Sequence, residues 1–103
     1  MITSRLNFIM TKDELKRINI SKQNNGRIRI TADVHGMKCH QARRFINNII
    51  NVVRESFRLV IIHGYNHGTA IKEMLSSNFC NCHISEQYVD AYNQGVTHML
   101  IAA

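Results

Sequence analysis

Ile28-Arg29-Ile30-Thr31-Ala32-Asp33-Val34-His35-Gly36 alternates apolar with polar side chains, the period of two that marks a strand with one buried face. Ile28, Ile30, Ala32 and Val34 form its packed side. Arg29, Thr31, Asp33 and His35 form a polar row until Gly36 breaks the strand. Further on, Leu59-Val60-Ile61-Ile62 is a continuous apolar run typical of a buried parallel strand, and it also ends in His-Gly, at His63-Gly64. Between the two, Ala42, Phe45, Ile46, Ile49, Ile50, Val53 and Phe57 recur at helical spacing, which predicts one long amphipathic helix from Cys39 to Phe57.

Thr69 to about Ser77 reads as a second helix with Ile71, Met74 and Leu75 inward. His83 to Val89 and Val96 to Ile101 read as two more strands, separated by the Asn93-Gln94-Gly95 turn. Right-handed crossovers put both helices on one face of the sheet. The predicted fold is therefore an α/β two-layer sandwich, a βαβαββ mixed four-stranded sheet over residues 27–103. Residues 1–26 are set apart as an N-terminal extension. There Thr11-Lys12-Asp13-Glu14 reads as a capping box opening a short helix, with Leu15 and Ile18 on one side. Asn24-Asn25-Gly26 is a turn signal.

A chain of 103 residues, 45% hydrophobic, fits one domain with a modest core. Thirteen Lys and Arg against seven Asp and Glu give a net charge of +6. Such a balance suits polyanionic partners, although solubility alone also explains it. Three cysteines are an odd number, and Cys80 and Cys82 stand too close in sequence for a comfortable bridge. With no secretory pattern, reduced thiols and a cytoplasmic location are expected. No apolar run approaches the roughly 18 residues of a membrane helix.

The unit of strand, His-Gly, loop and helix occurs twice, with His35 and His63 in equivalent places. If the strands are parallel neighbours, both histidines fall at the carboxyl-end rim, where open α/β sheets bind ligands. Asp33 and His35 share one face of a strand, their Cα atoms about 7 Å apart, so the carboxylate can fix the imidazole for general acid–base work. The plainer reading has Asp33 capping a loop and His35 packing against the approach to the helix. In His63-Gly64-Tyr65-Asn66-His67-Gly68-Thr69, Gly64 lets the chain turn sharply and Gly68 allows backbone to approach an anion. Tyr65 could stack on a base, and Asn66, His67 and Lys72 could meet phosphates. Thr69 is equally a helix N-cap. The loop is not a Walker motif, and no cofactor is expected.

Asp33-Val34-His35-Gly36-Met37 at a strand end, then Ile61-Ile62-His63-Gly64-Tyr65-Asn66-His67-Gly68-Thr69 opening a helix, then Gly95-Val96-Thr97 before a last strand, together resemble the Smr (small MutS-related) domain. The resemblance spans about Ile28 to Ile101. It implies a βαβαββ fold like the C-terminal domain of translation initiation factor 3, nucleic-acid binding and, in several members, endonuclease activity on DNA or RNA. The Asp-x-His motif of the family falls on Asp33 and His35, and its second motif on His63, Gly64 and Gly68. Asn66 stands where many members have Gly, which implies a stiffer or differently shaped loop.

On this reading His35, held by Asp33, takes the proton from an attacking hydroxyl. His63 or His67 protonates the leaving oxygen, and backbone N–H groups around Gly64 to Gly68 hold the phosphate. A non-catalytic module for RNA, DNA or a ribosomal surface would use the same edge, with Arg27, Arg29, Gly36, Lys38, Arg43, Arg44 and Lys72 tracking the backbone. A metal site from Cys39, His40, Cys80, Cys82 and His83 lacks the second Cys-x-x-Cys pair that zinc requires, so no metal is assigned. An enzyme for a phosphorylated metabolite would need a lid that so small a chain lacks. Self-association is left open, an unpaired edge strand making it easy.

Overall fold

The computed structural model describes residues 2–53, 55–64, 69–77 and 79–102. Nine elements follow one another: α1 (Ile2–Ile9), α2 (Lys12–Lys16), β1 (Ile18–Lys22), β2 (Ile28–Asp33), α3 (Cys39–Val53), β3 (Phe57–Ile62), α4 (Ala70–Ser77), β4 (Ile84–Val89) and β5 (Val96–Ile101). The strands make one mixed sheet in the order β1-β2-β3-β5-β4. β2 and β3 are parallel, with Ile28 opposite Phe57 and Asp33 opposite Ile62, and the other pairings are antiparallel. The chain is thus α/β, with a five-stranded sheet and four helices among the described residues.

The periodicities account for the core. Ile30, Ala32, Leu59, Ile61, Met99 and Ile101 line one side of the sheet, and the α3 stripe of Ala42, Phe45, Ile46, Ile49, Ile50 and Val53 packs on it with Ile71, Met74 and Leu75 of α4. Alternation puts Arg29, Thr31, Arg58, Val60, His98 and Leu100 on the other side. Val60 is buried yet stands apart from this core cluster. Among the described residues, the helices bury their apolar side chains in the one cluster and leave the second face uncovered. No helix here is long and apolar enough to cross a membrane.

Three expectations are corrected. The sheet has five strands, not four, because Ile18-Asn19-Ile20-Ser21-Lys22 returns along β2 through a turn in which Gly26 takes a φ of 82° and Gln23 N donates to Arg27 O. Ile18 accordingly opens a strand and is not on a helix face. Phe57 likewise begins β3, α3 having ended at Val53. An apolar residue was needed at that point of a strand, and it happened to continue the helical stripe. The Thr11 capping box does form, Glu14 N donating to Thr11 Oγ1 and Thr11 N to Glu14 Oε1.

The first 26 residues are also integral to the packing. Leu6 of α1 is only 1% exposed and Met10 is buried beside it, both inside the core cluster. Arg5 Nη1 donates to the Val53 carbonyl at 2.8 Å, satisfying a carbonyl at the end of α3. Leu6→Ala is therefore expected to lower the unfolding free energy by about 3 kcal/mol, the usual cost of emptying a buried leucine site, as measured by urea denaturation.

Candidate nucleic-acid interface at the strand ends

Parallel pairing brings the two His-Gly sequences to one rim but gives their rings different surroundings. His35 lies just past the end of β2, its side chain 65% exposed. Its Nδ1 is bonded to Asp33 Oδ1, and its backbone N–H donates to the same oxygen at 3.2 Å. A carboxylate accepts only, so in the neutral ring the proton sits on Nδ1, and the Nε2 lone pair has no partner among the described residues. Gly36 then turns the chain with a φ of 81°, and Met37 N donates to Val34 O.

His63 is 6% exposed, and both ring nitrogens are engaged within the protein. Nδ1 donates to the Gly64 carbonyl at 2.8 Å, so Nε2 accepts from the Thr97 hydroxyl at 2.8 Å. Burial holds the imidazole below its ordinary pKa. The Gly64 carbonyl opposes that shift, and the positive charge of Lys72 adds to it. As placed, His63 has no free nitrogen to offer a ligand and braces β3 against β5, unlike the acid expected of it.

Glycines hold the rim together. His63 N and Gly64 N both donate to Gly95 O, at 2.9 and 3.0 Å. A Cβ on Gly95 would stand 3.1 Å from Gly64 Cα and 3.2 Å from Asn93 Oδ1, so a larger residue would push these neighbours back by a few tenths of an ångström. Gly64, at a φ of 73°, sits against His35, whose Cβ is 3.8 Å from where its own would be. Asp33, His35, His63 and Gly64 are therefore brought together.

Three cations border this edge. Lys38 precedes α3, its backbone N–H donating to Gln41 Oε1, and Lys72 Nζ reaches Gln94 Oε1 at 3.5 Å. The third, Arg17, was missed because β1 was not recognised. Its Nη1 donates to the Asp33 and His35 carbonyls at 3.2 and 3.1 Å, while its own carbonyl accepts from Asp33 N. Thr69 donates its hydroxyl to Glu73 Oε1 at 2.9 Å. Arg29 is not at the rim. It lies four residues back along β2, about 13 Å from Asp33 on the uncovered face. Arg43 lies on the exposed side of α3. Tyr65, Asn66, His67 and Gly68 lie outside the described residues. Cys39, His40, Cys80, Cys82 and His83 do not gather into a metal-binding cluster.

No family model matches the chain, and neither curated proteins nor solved structures provide a match.

Two outcomes follow from the rim. Gly95→Ala should cost about 1–3 kcal/mol in urea denaturation, because the backbone it meets cannot yield as a side chain would. Below the ordinary histidine value of 6.5 the unfolded chain protonates His63 while the folded chain resists, so stability should fall as pH drops from 7 to 5.5. Loss of that slope in His63→Gln, measured by urea midpoints at both pH values, checks the assignment.

Proposed function

We propose that residues 28–101 form an Smr-like domain that binds RNA or DNA at this rim, where His35 performs proton transfer on a phosphodiester. The observation that carries the reading is the exposed His35 ring, held through Nδ1 by Asp33 with Nε2 open, beside Arg17. The order β2-α3-β3-α4-β4-β5 supports the resemblance to the initiation-factor fold, with α1, α2 and β1 as additions. His35 Nε2 takes a proton from the attacking hydroxyl, the 2′-OH in RNA or water in DNA. The resulting oxyanion bonds to phosphorus as the P–O bond to the leaving oxygen breaks. His67, the other acid the sequence offers, or water supplies the proton to that oxygen, since both His63 nitrogens are committed. Arg17, Lys38 and Lys72 supply the positive field for the phosphate.

A second reading, binding without cleavage, is favoured by that burial of His63, which leaves His35 as the one free imidazole at the rim among the described residues. A ribosomal surface would then be an equivalent partner.

End-labelled single-stranded and structured RNA and DNA, incubated with and without chelator, separate the two. With catalysis, His35→Ala should slow cleavage at least about 100-fold, the usual share of a general base, while leaving affinity within about twofold. Asp33→Asn should slow it less. Tight binding with uncut product in the wild type selects the second reading, and the absence of both removes the proposal.

A further inference from the structure

The face of the sheet turned away from the helices carries a second set of groups suited to a nucleic acid. Arg29 and Arg58 are direct partners in the parallel register, on strands about 4.8 Å apart. Neither belongs to the ion pairs found among the described residues. Arg58 Nη1 donates to the Tyr88 hydroxyl at 2.8 Å, but its Nε is buried without a partner. Arg27 and Arg58, with Gln23 and Ser85, line an adjoining cavity of about 340 Å³. Like charges side by side repel, which favours an incoming anion.

One row nearer the rim, Thr31, Val60, His98 and Tyr88 are successive partners across β2, β3, β5 and β4. Tyr88 stacks on His98 with centroids 5.1 Å apart and planes 17° apart, yet is 40% exposed. His98 is fixed beneath it, Nε2 donating to Asp90 Oδ1 at 2.7 Å, and Asp90 Oδ2 accepts from Tyr92 and Asn93 N–H groups. The next row is Asp33, Ile62 and Val96, at the rim itself. A first row, cationic at Arg29 and Arg58 and ending through Leu100 at the exposed Glu86 of β4, an aromatic platform and the Asp33–His35 pair thus follow in order across one uncovered surface.

We propose that this face is a track for single-stranded nucleic acid: phosphates engage Arg27, Arg29 and Arg58, a base stacks on Tyr88, and the strand passes over Val60 and Ile62 to the rim. The direction of the strand rests on the function proposed above. A single strand fits because only unpaired bases offer a face to stack. A second copy of the chain, itself at +6, lacks the charge to complement three arginines.

The test titrates labelled RNA and DNA single strands of about 12 nucleotides, within the usual site size, and the matching blunt duplex, across a salt series. Arg29→Glu and Tyr88→Ala should each weaken single-strand binding about tenfold, and Arg29→Glu should lower the salt slope by about 0.7 or more. Tyr88→Phe should stay within about threefold, since the ring is kept. Lys12→Glu, an exposed charge reversal on α2, should stay within about twofold. In Tyr88→Trp, the chain's sole tryptophan should be quenched by the single strand. Thermal unfolding of each variant separates lost contacts from lost fold.

Wild-type affinity in folded Arg29→Glu and Tyr88→Ala would overturn the track, as would an unquenched Tyr88→Trp or equal affinity for the duplex. So would a wild-type dimer in sedimentation that those two variants dissociate. These results would leave the His35→Ala cleavage defect standing. A wild type that binds no nucleic acid removes the parent reading and the track with it.

Discussion

The parallel register of β2 on β3 governs both surfaces. With Asp33 opposite Ile62, the two strands stop at the same level, and Val34 N donates to Ile62 O one step further on. A slip of one residue would turn Ile30 and Ala32 out of the core and Asp33 into it, so burial itself enforces the alignment. The chain then leaves each strand within three residues through a glycine at positive φ, Gly36 or Gly64. The histidines differ because their strands have different neighbours. β2 adjoins the short β1 hairpin, which supplies Arg17 and leaves the His35 ring in solvent. β3 lies between β2 and β5, and Gly95 and Thr97 close over His63.

Charge is distributed by the same geometry. Asp33 and Asp90, the carboxylates at the ends of the two parallel-running strands β2 and β4, are each bonded to a histidine. The bond from His98 holds the Asp90 carboxyl below its ordinary pKa, and the Tyr92 and Asn93 N–H groups reinforce this. Asp33 and Asp90 thereby orient imidazoles, and among the described residues no lysine or arginine forms an ion pair with them. Arg17, Lys38 and Lys72 around the rim, and Arg27, Arg29 and Arg58 on the open face, retain their positive field.

What the amino-acid order reveals depends on how far each element relies on distant partners. The α3 stripe and the β3 run state their periods over enough residues to be read directly, and so do β2, α4 and β5. β1 offers only Ile18 and Ile20 as apolar positions. Ile18 also stands three residues after Leu15, so a helix and a strand claim it equally. The period of Leu6 in α1 is likewise too short to announce that it packs on α3. Phe57 satisfies two periods at once, and the turn before it is the deciding feature. At the site, the pairing of Asp33 with His35 was legible because both residues lie on one strand. The burial of His63 was not, since the hydroxyl that occupies its Nε2 belongs to Thr97, 34 residues later. Arg17 depends on β1 and was hidden with it.

β3 poses the remaining physical problem. Its run Leu59-Val60-Ile61-Ile62 is apolar on both faces, as in sheets covered by helices on both sides. Here the helices cover one face. Leu59 and Ile61 enter the core, whereas Val60 and Ile62 face the other way. Val60 is nevertheless buried, screened where its neighbours are Thr31, His98 and the stem of Arg58, while Ile62 stays 36% exposed. Long cationic side chains can lay their methylenes on such an apolar strip while their charged heads stay at its edge. The apolar character of both faces of β3 is thus met on the open side by the flanking side chains at Val60, and Ile62 is the part still open to solvent.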